Sequence, residues 1–319
     1  MSALANEHAT PGPQAGPSPD KSGLPATIPE YLAALRAALA DADPAMIQDA
    51  LYDAEDYLRS EMAAQPGKSE AEVIAEVAGS YGAPDEVADI YRQAEVTVNR
   101  ALRTPAPPKR TSWVGRFFGI AADPHTYGAL FYMLLSLGTG IVYFTWTVVG
   151  LSLSLGLLIL IVGVPLLLLF LASTRLLSLV EGRIVETLLG VRMPRRPLYS
   201  QRDKPWLKRI GEMFTDGRTW TTMLYFLLML PLGTAYFSIA VTLLATGVGL
   251  SAAVLGFFFP DRFNIMFVDW NVTTDAPWML PLWTAAGIVL LFATLHVARA
   301  IGRLHGWLAK HLLVRDPVV

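Results

Sequence analysis

Residues 127–174 carry no charged side chain and decide the fold class: they begin YGALFYMLLSLGTGIVYFTWTVVG (127–150) and end LLILIVGVPLLLLFLAST (157–174). A helix rises 1.5 Å per residue, so one crossing of a bilayer uses about 20 residues. A run of this length therefore predicts two helices folded against each other as a membrane hairpin. We expect the chain to turn within 150–156, which holds two glycines and two serines, and Pro165 to kink the second helix.

A second apolar stretch repeats the first. At an offset of 93 residues, 10 of 26 positions of 123–148 are identical to 216–241, including Tyr132/Tyr225 and Gly140/Gly233. The returning helices align at an offset of 124, which places an insertion of 31 residues within 247–280. We expect both hairpins to begin inside, so that a rotation about the membrane normal relates the repeats. Gly140 and Gly233 are then candidate positions of close helix packing.

Composition agrees with an integral membrane protein. Hydrophobic residues make up 53% of the 319 residues and charged residues only 16%. The chain has no cysteine, which excludes disulfides, thiolate metal sites and a cysteine nucleophile. The chain divides into a disordered tail (1–27), an acidic helical module (28–102), a proline-rich linker (103–112) and a membrane domain (113–315) with repeats at 123–192 and 216–315. The predicted fold class is an all-α integral membrane protein with four transmembrane helices, cytoplasmic interfacial helices and a soluble helical module.

The module 28–102 shows amphipathic helical periodicity. Tyr31, Leu32, Leu35 and Leu39 form one apolar stripe, and a longer stripe begins at Met46. Proline after Asp43 predicts a helix start, and Ser69 followed by Glu72 predicts a capping box.

This module resembles the HAAS-type helical module that precedes membrane segments in bacteria. The resemblance covers about 70 residues and includes a Gly-x-Pro turn in YGAPDEVADIYR. It rests on Tyr31, Leu32, Leu35, Gly82, Pro84 and Ala88.

Residues 113–314 are similar to the bacterial "putative sensor" membrane domain. The matching opening of the second hairpin consists of Thr219, Trp220, Tyr225, Pro231 and Gly233, and an Arg-Leu-x-x-Leu segment ending in Leu-Leu-Gly lies at 175–190. The chain departs from the family pattern at Gly138 and Val314. The resemblance implies detection of an envelope or lipid signal and its transfer to a cytoplasmic protein, a regulator or a kinase, and no kinase region is fused to this chain.

Charge distribution predicts the topology. Residues 28–98 carry a net charge of −11 and residues 99–319 a net charge of +10. Ten Lys or Arg lie within 175–218, whereas Arg262 is the one cation near the second hairpin loop. The positive-inside rule then places both termini in the cytoplasm of a bacterium, with the regions near Ser154 and Asp269 outside the inner membrane. Amphipathic segments at 113–120, 175–192 and 299–314 are expected to form a collar of interfacial helices.

The acidic module is expected to rest reversibly on this basic collar, because surface ion pairs are individually weak. The alternative is that the collar meets anionic lipid while the acidic face is solvated. The candidate contact residues are Asp49, Asp53, Asp56, Arg175, Arg183, Arg299 and Arg303.

The insertion of the second hairpin contains the candidate ligand contacts. Residues 247–259 are too short to span a bilayer and are interpreted as either a continuation of the third helix or an interfacial segment. Residues 260–277 then form an external loop, either a polar connector or a ligand-contact loop. Its candidate residues are Asp261, Arg262, Asp269, Trp270 and Asp275.

Catalytic motifs are absent from the sequence. It contains no Walker loop, dinucleotide fingerprint, nucleophile elbow or zincin motif. Glu181 and Glu186 are interpreted as facing solvent or arginines, and His296, His305 and His311 as interfacial polar residues. No cofactor, metal or direct nucleic-acid partner is expected, and a homo-oligomer is left open. The main hypothesis is a non-enzymatic sensor; the alternative, a transporter-like or accessory membrane subunit, is disfavoured because transport pathways usually use charged residues inside the helices.

Overall fold

The computed structural model describes residues 24–102, 112–160, 162–196, 211, 216–263, 266–267 and 269–314. Residues 1–23 of the predicted tail and 103–111 of the predicted linker lie outside the described residues. Within the described part, residues 24–42 and 50–101 form one compact unit, and residues 43–49 and 102–314 form another.

Four helices build the N-terminal module: α1 (Ile28–Ala38), α2 (Pro44–Ala64), α3 (Glu70–Val77) and α4 (Pro84–Leu102). The predicted capping box is confirmed, because Ser69 accepts from the backbone N–H of Glu72 and Glu72 accepts from that of Ser69. The predicted start of α2 at Pro44 is also confirmed.

Tyr31, Leu35 and Leu39 are fully buried in the core of the first unit. The Tyr31 hydroxyl donates to the carbonyl oxygen of Gly82 at 2.7 Å. Gly82 has a φ of +114°, a conformation that glycine adopts without steric cost, so the Gly-x-Pro turn is tied directly to α1.

The second unit contains α5 (Trp113–Phe118) and four helices that are long and apolar enough to cross a membrane. These four are α6 (Pro124–Gly156), α7 (Gly163–Leu189), α8 (Gly217–Ser251) and α10 (Leu280–Leu313), with the short α9 (Val272–Asp275) between the last two. This arrangement supports the predicted four-helix membrane domain.

Two local predictions about the first hairpin are wrong. The turn does not lie within 150–156, because α6 continues to Gly156 and is followed by a 3₁₀ turn at Leu157–Leu160. Pro165 does not kink α7, because it lies in the first turn of that helix, where no intrahelical bond needs its missing N–H. Gly and Ser favour turns in water, but in an apolar setting a continued helix satisfies their backbone groups.

The predicted collar helices at 175–192 and 299–314 are not separate elements. Residues 175–189 continue α7 and residues 299–313 continue α10 without interruption. Only the short α5 is a helix of its own, with Phe117 and Phe118 packed against Phe292 of α10.

Helices α6 and α8 cross at very short range. Three facing pairs define the crossing: Tyr143 with Phe226, Gly140 with Met229, and Ser136 with Gly233. Residue numbers rise along α6 while they fall along α8, so the two helices are antiparallel. The tips of the two hairpins, residues 157–163 and 252–279, therefore point to opposite ends of this helix pair.

If α6 and α8 cross the bilayer steeply, their antiparallel packing disagrees with the predicted rotation about the membrane normal. A rotation about the membrane normal would make α6 and α8 parallel, because it preserves the direction of each helix. The charge pattern reports on which residues face the cytoplasm, whereas the helix direction follows from which faces fit together.

Cysteine labelling of the two hairpin tips tests the antiparallel crossing. Single cysteines replace Ile159, which is 90% exposed, and Asp269 in this cysteine-free chain. If α6 and α8 both span the bilayer steeply and as packed, an impermeant maleimide labels one of the two in intact cells and both after permeabilisation. Labelling of both in intact cells would agree with the charge-based topology and contradict a steep antiparallel transmembrane pair.

The insertion in the second hairpin extends the third long helix. Helix α8 runs to Ser251 and is followed by a 3₁₀ segment at Ala252–Phe257, so the continuation is the alternative that the structure supports. The rest of the insertion holds two short antiparallel strands, β1 (Met266–Phe267) and β2 (Trp270–Asn271), and α9.

Candidate functional site

Glu181 lies at the centre of the bundle with no solvent exposure. Its Oε1 atom accepts hydrogen bonds from the hydroxyls of Tyr132 at 2.7 Å and Tyr225 at 2.8 Å. Its Oε2 atom accepts from the hydroxyl of Tyr143 at 3.0 Å. These three bonds satisfy a carboxylate that would otherwise be costly to bury.

His305 completes the cluster from the opposite side. Its Nε2 atom lies 2.5 Å from the hydroxyl oxygen of Tyr132 and 2.8 Å from that of Tyr225. Its Nδ1 atom is buried and has no hydrogen-bond partner among the described residues. Tyr132 and Tyr225 therefore each connect the Glu181 carboxylate to the His305 imidazole.

The cluster draws on all four long helices. Tyr132 and Tyr143 lie on α6, Glu181 on α7, Tyr225 on α8 and His305 on α10. These elements bring the side chains together because α6 and α8 cross beside the cluster, while α7 and α10 pack over them.

Apolar side chains surround this polar centre. Phe226 and Met229 are fully buried beside it, and Met193, Val185 and Ala309 belong to the same core. Hydrogen bonds in such a dry environment are stronger than in water, and an unpaired polar group there is more costly. The cluster consequently favours one arrangement of the four helices, and the loss of one of its hydrogen bonds should destabilise the bundle.

The hydrogen-bond pattern limits where the protons lie. Each tyrosine hydroxyl has one proton, so an ionised Glu181 uses the protons of all three tyrosines. The oxygens of Tyr132 and Tyr225 are then left to accept from the Nε2–H group of His305. Either hydroxyl can also pass a proton between the carboxylate and the imidazole.

The sequence-based interpretation of these residues was wrong in two respects. Glu181 and His305 are fully buried, not exposed or interfacial, and the long helices do contain an internal charged residue. Glu186 does fit the interpretation, because it pairs with Arg183 at 2.8 Å and Arg195 at 3.1 Å. The sequence did hold one signal: the offset of 93 that aligns Tyr132 with Tyr225 was noted, but the alignment of Glu181 with His305 at the offset of 124 was not used.

The candidate collar arginines make their described ion pairs within the bundle. Arg175 lies 3.7 Å from Asp216, Arg299 pairs with Asp123, and Arg303 is exposed. The pairs of Arg175 and Arg299 involve the residues that cap the first turns of α8 and α6, respectively.

The three candidate aspartates differ in environment. Asp49 belongs to the second unit, where its Oδ1 atom accepts from the backbone N–H groups of Arg195 at 2.7 Å and Arg196 at 2.8 Å. Asp53 belongs to the first unit and accepts from the hydroxyl of Tyr91 at 3.0 Å. Asp56, on the same helix, is exposed.

The candidate ligand loop is accessible. Asp261, Arg262, Asp269 and Asp275 are exposed, and the backbone of Trp270 pairs with Phe267 in the two-stranded sheet. Asp275 also accepts from the backbone N–H of Asn271 at 3.1 Å. Ligand contact by this loop stays a prediction.

Within the described residues, no three His, Asp or Glu side chains are grouped as a metal site requires. The hydrogen bonds of the buried cluster offer proton exchange between its carboxylate, hydroxyl and imidazole groups.

A match to a known protein family covers the region that contains this cluster. A family model described as "Putative sensor" matches residues 132–313, more than half of the 319-residue chain. Neither a curated protein nor a solved structure matches the chain. With its four apolar helices, the chain is a multi-pass membrane protein that belongs to the "Putative sensor" family.

Proposed function

We propose that this protein is a non-enzymatic sensor of the bacterial inner membrane that relays an envelope or lipid signal to a cytoplasmic regulator or kinase. The proposal includes cytoplasmic N- and C-termini, which the excess of Lys and Arg flanking the long helices favours. With the antiparallel packing of α6 and α8, this topology requires that both helices be strongly tilted in the bilayer or that they do not both span it. It also includes the internal repeat, which would make the two halves of the bundle equivalent partners around the buried cluster.

The observation that carries the proposal is that one polar cluster hydrogen-bonds all four long helices. A shift of any one helix must alter the bonds that Glu181 and His305 make with Tyr132 and Tyr225. Because buried polar groups must find new partners, such a bundle has discrete arrangements instead of a continuous range. A stimulus that favours one arrangement would then shift the population of the whole bundle.

The relay would end in the acidic module. Its charge of −11 suits a basic surface, either on the partner or on the membrane half of the chain. Asp49 offers one connection between α7 and the acidic module, because it accepts two hydrogen bonds from backbone N–H groups of the segment that follows α7. A movement of α7 would reach Asp49 through this segment.

Capture of the partner from native membranes tests the relay. The full chain is cross-linked and purified as wild type, as the Tyr132→Phe/Tyr225→Phe double variant and as the control Tyr127→Phe. We expect the wild type and the control to recover the same cytoplasmic protein, and the double variant to change its recovery by about threefold or more. The control keeps the chemical change but removes an exposed hydroxyl outside the cluster.

Equal recovery from all three forms would contradict a relay through the cluster. Absence of any cytoplasmic protein enriched over an unrelated membrane protein would contradict the relay as a whole.

A second candidate function is transport, and the buried cluster is the observation that favours it. Intramembrane Glu and His residues joined by hydroxyls are typical of proton pathways. Proteoliposomes with an internal pH dye distinguish the two functions. Proton flux that the Glu181→Gln variant abolishes and the Glu186→Gln variant retains would establish transport, and absence of flux in the wild type would exclude proton transport.

A further inference from the structure

A small polar pocket lies between α7 and α8, about one helical turn before Glu181 and Tyr225 of the buried cluster. Its polar lining includes Arg175, Ser178, Asp216, Arg218, Thr219 and Thr222, and leucines of α7 close its apolar side. The pocket lies at the first turn of α8, a 35-residue helix. Backbone N–H groups at such a helix start carry a partial positive charge that favours an anion.

Thr219 contributes a buried hydroxyl to the pocket. Its side chain is only 6% exposed, and its Oγ1 atom has no hydrogen-bond partner among the described residues. A buried hydroxyl without a partner costs free energy, so a group that enters the pocket and bonds to it would be stabilised.

The charges of the pocket favour a monoanion. Arg175 and Arg218 contribute two positive charges and Asp216 one negative charge. Asp216 uses its Oδ1 atom to cap α8, and its Oδ2 atom lies 3.7 Å from Arg175, beyond a good hydrogen bond. The formal charges of these three side chains sum to +1, which suits the single negative charge of a phosphodiester, and Arg218 also donates to Oε1 of Gln48 at 2.7 Å.

The residues that align with this pocket, at the start of α6 and at 299–302 of α10, provide a comparison within the same molecule. We call the pocket and these aligned residues the two corners of the bundle. In the second corner, Arg299 pairs closely with Asp123, and Thr126 takes the place of Thr219. The Oγ1 atom of Thr126 also has no hydrogen-bond partner among the described residues, so the two corners differ in their open space and in the Arg–Asp pair. In place of Ser178 and Thr222 this corner has Gly302 and Ala129, which pack so tightly that a Cβ added to Gly302 would lie 2.7 Å from that of Ala129. One corner is thus filled by small residues, whereas the other is opened and lined with hydroxyls.

We propose that the pocket at Arg175 and Thr219 binds the phosphate group of an anionic phospholipid. Arg175 binds the phosphate oxygens, and Thr219 donates its hydroxyl to one of them. Exposed apolar residues on the same two helices, Leu176 at 64% and Leu224 at 48%, offer lipid-facing surface for the acyl chains. Trp220, 53% exposed and beside Arg218 in sequence, is a residue type common at the membrane interface. This inference does not depend on the relay, because a lipid site needs no cytoplasmic partner.

Lipid titration of the full chain tests the site. The protein in a neutral detergent is titrated with phosphatidylglycerol, with phosphatidylcholine and with inorganic phosphate, and bound molecules are counted by native mass spectrometry. The variants are Arg175→Gln and Thr219→Val, with Arg299→Gln and Thr126→Val as matched controls from the filled corner. A melting curve for each variant shows that it is folded.

We expect saturable binding of one phosphatidylglycerol with higher affinity than phosphatidylcholine. Arg175→Gln should weaken it about tenfold or more, and Thr219→Val about two- to tenfold, as loss of a charged and of a neutral hydrogen bond implies. Both controls should bind like the wild type. If Arg175→Gln fails to fold, Thr219→Val against Thr126→Val still decides the question, because threonine and valine have nearly the same shape.

Two outcomes would overturn the proposal: no saturable lipid binding in the wild type, or equal losses in the two corners. The phosphate arm identifies the source of the ligand. Inorganic phosphate that binds alone and depends on Thr219 would make the free ion the ligand and reject the lipid, whereas phosphate without effect at matched ionic strength supports the lipid headgroup.

Discussion

Replacement of Glu181 by alanine is expected to lower the free energy of unfolding of the bundle by about 3–5 kcal/mol, because it leaves buried hydroxyls without their acceptor and removes buried side-chain atoms from a packed core. The change leaves the hydroxyl of Tyr143 without an acceptor, and those of Tyr132 and Tyr225 with His305 alone. It also creates a cavity in a tightly packed core. In detergent, the apparent melting temperature should fall by roughly 10 °C or more.

Two further variants distinguish the loss of the buried cluster from the general effect of removing a carboxylate. Glu186→Ala removes a carboxylate one and a half turns further along the same helix, where its partners are partly exposed arginines, and should cost less than about 1 kcal/mol. Glu181→Gln keeps an acceptor of the same size and should lie between the two. Equal melting temperatures for Glu181→Ala and Glu186→Ala would contradict a structural role for the buried cluster.

The second large effect is expected at the helix crossing. A Cβ added at Gly140 would lie 2.5 Å from the carbonyl oxygen of Met229, and one at Gly233 even closer to that of Ser136. Because the obstacle is backbone, the two helices must separate. Each Gly→Ala substitution should therefore destabilise the bundle by about 3 kcal/mol, the upper part of the usual range for overpacking.

Gly138 is the matched control, because it lies on α6 between the crossing positions and a Cβ there would meet nothing within 4 Å. Alanine forms helices better than glycine by about 1 kcal/mol, so Gly138→Ala should leave the stability unchanged or raise it slightly. Because the expected changes in melting temperature have opposite signs, a thermal melt distinguishes the two crossing positions from Gly138. A stabilising or neutral effect at both Gly140 and Gly233 would mean that the crossing is not close in the folded protein.

Local sequence signals predicted the elements well. The capping box at Ser69, the start of α2 at Pro44 and the apolar stripe through Tyr31 and Leu35 all lie where their residue types are most stable. These features depend on interactions within a few residues. The four long apolar helices were predictable for the same reason, since their length and hydropathy need no knowledge of what they pack against.

The predictions were wrong where the apolar surroundings, or residues distant in sequence, determine the local structure. The first hairpin turns after Gly156 because the chain in an apolar environment keeps its helical hydrogen bonds through the glycines and serines. Glu181 was interpreted as facing solvent or arginines because it lies in the segment 175–192, which was predicted to be an interfacial helix. Its three tyrosine partners are 38 to 49 residues away, and no local pattern reveals them.

By itself, the sequence determined the helical class, the four long apolar helices and the starts of short helices, because hydropathy and caps are properties of the chain alone. The tertiary structure decided the antiparallel crossing of α6 and α8 and the meeting of Glu181 with His305. It also decided which of two aligned corners stays open at Thr219. These depend on shape and on the pairing of buried polar groups across helices, and small differences such as Ala129 against Thr222 become visible only when the opposing helix is in place.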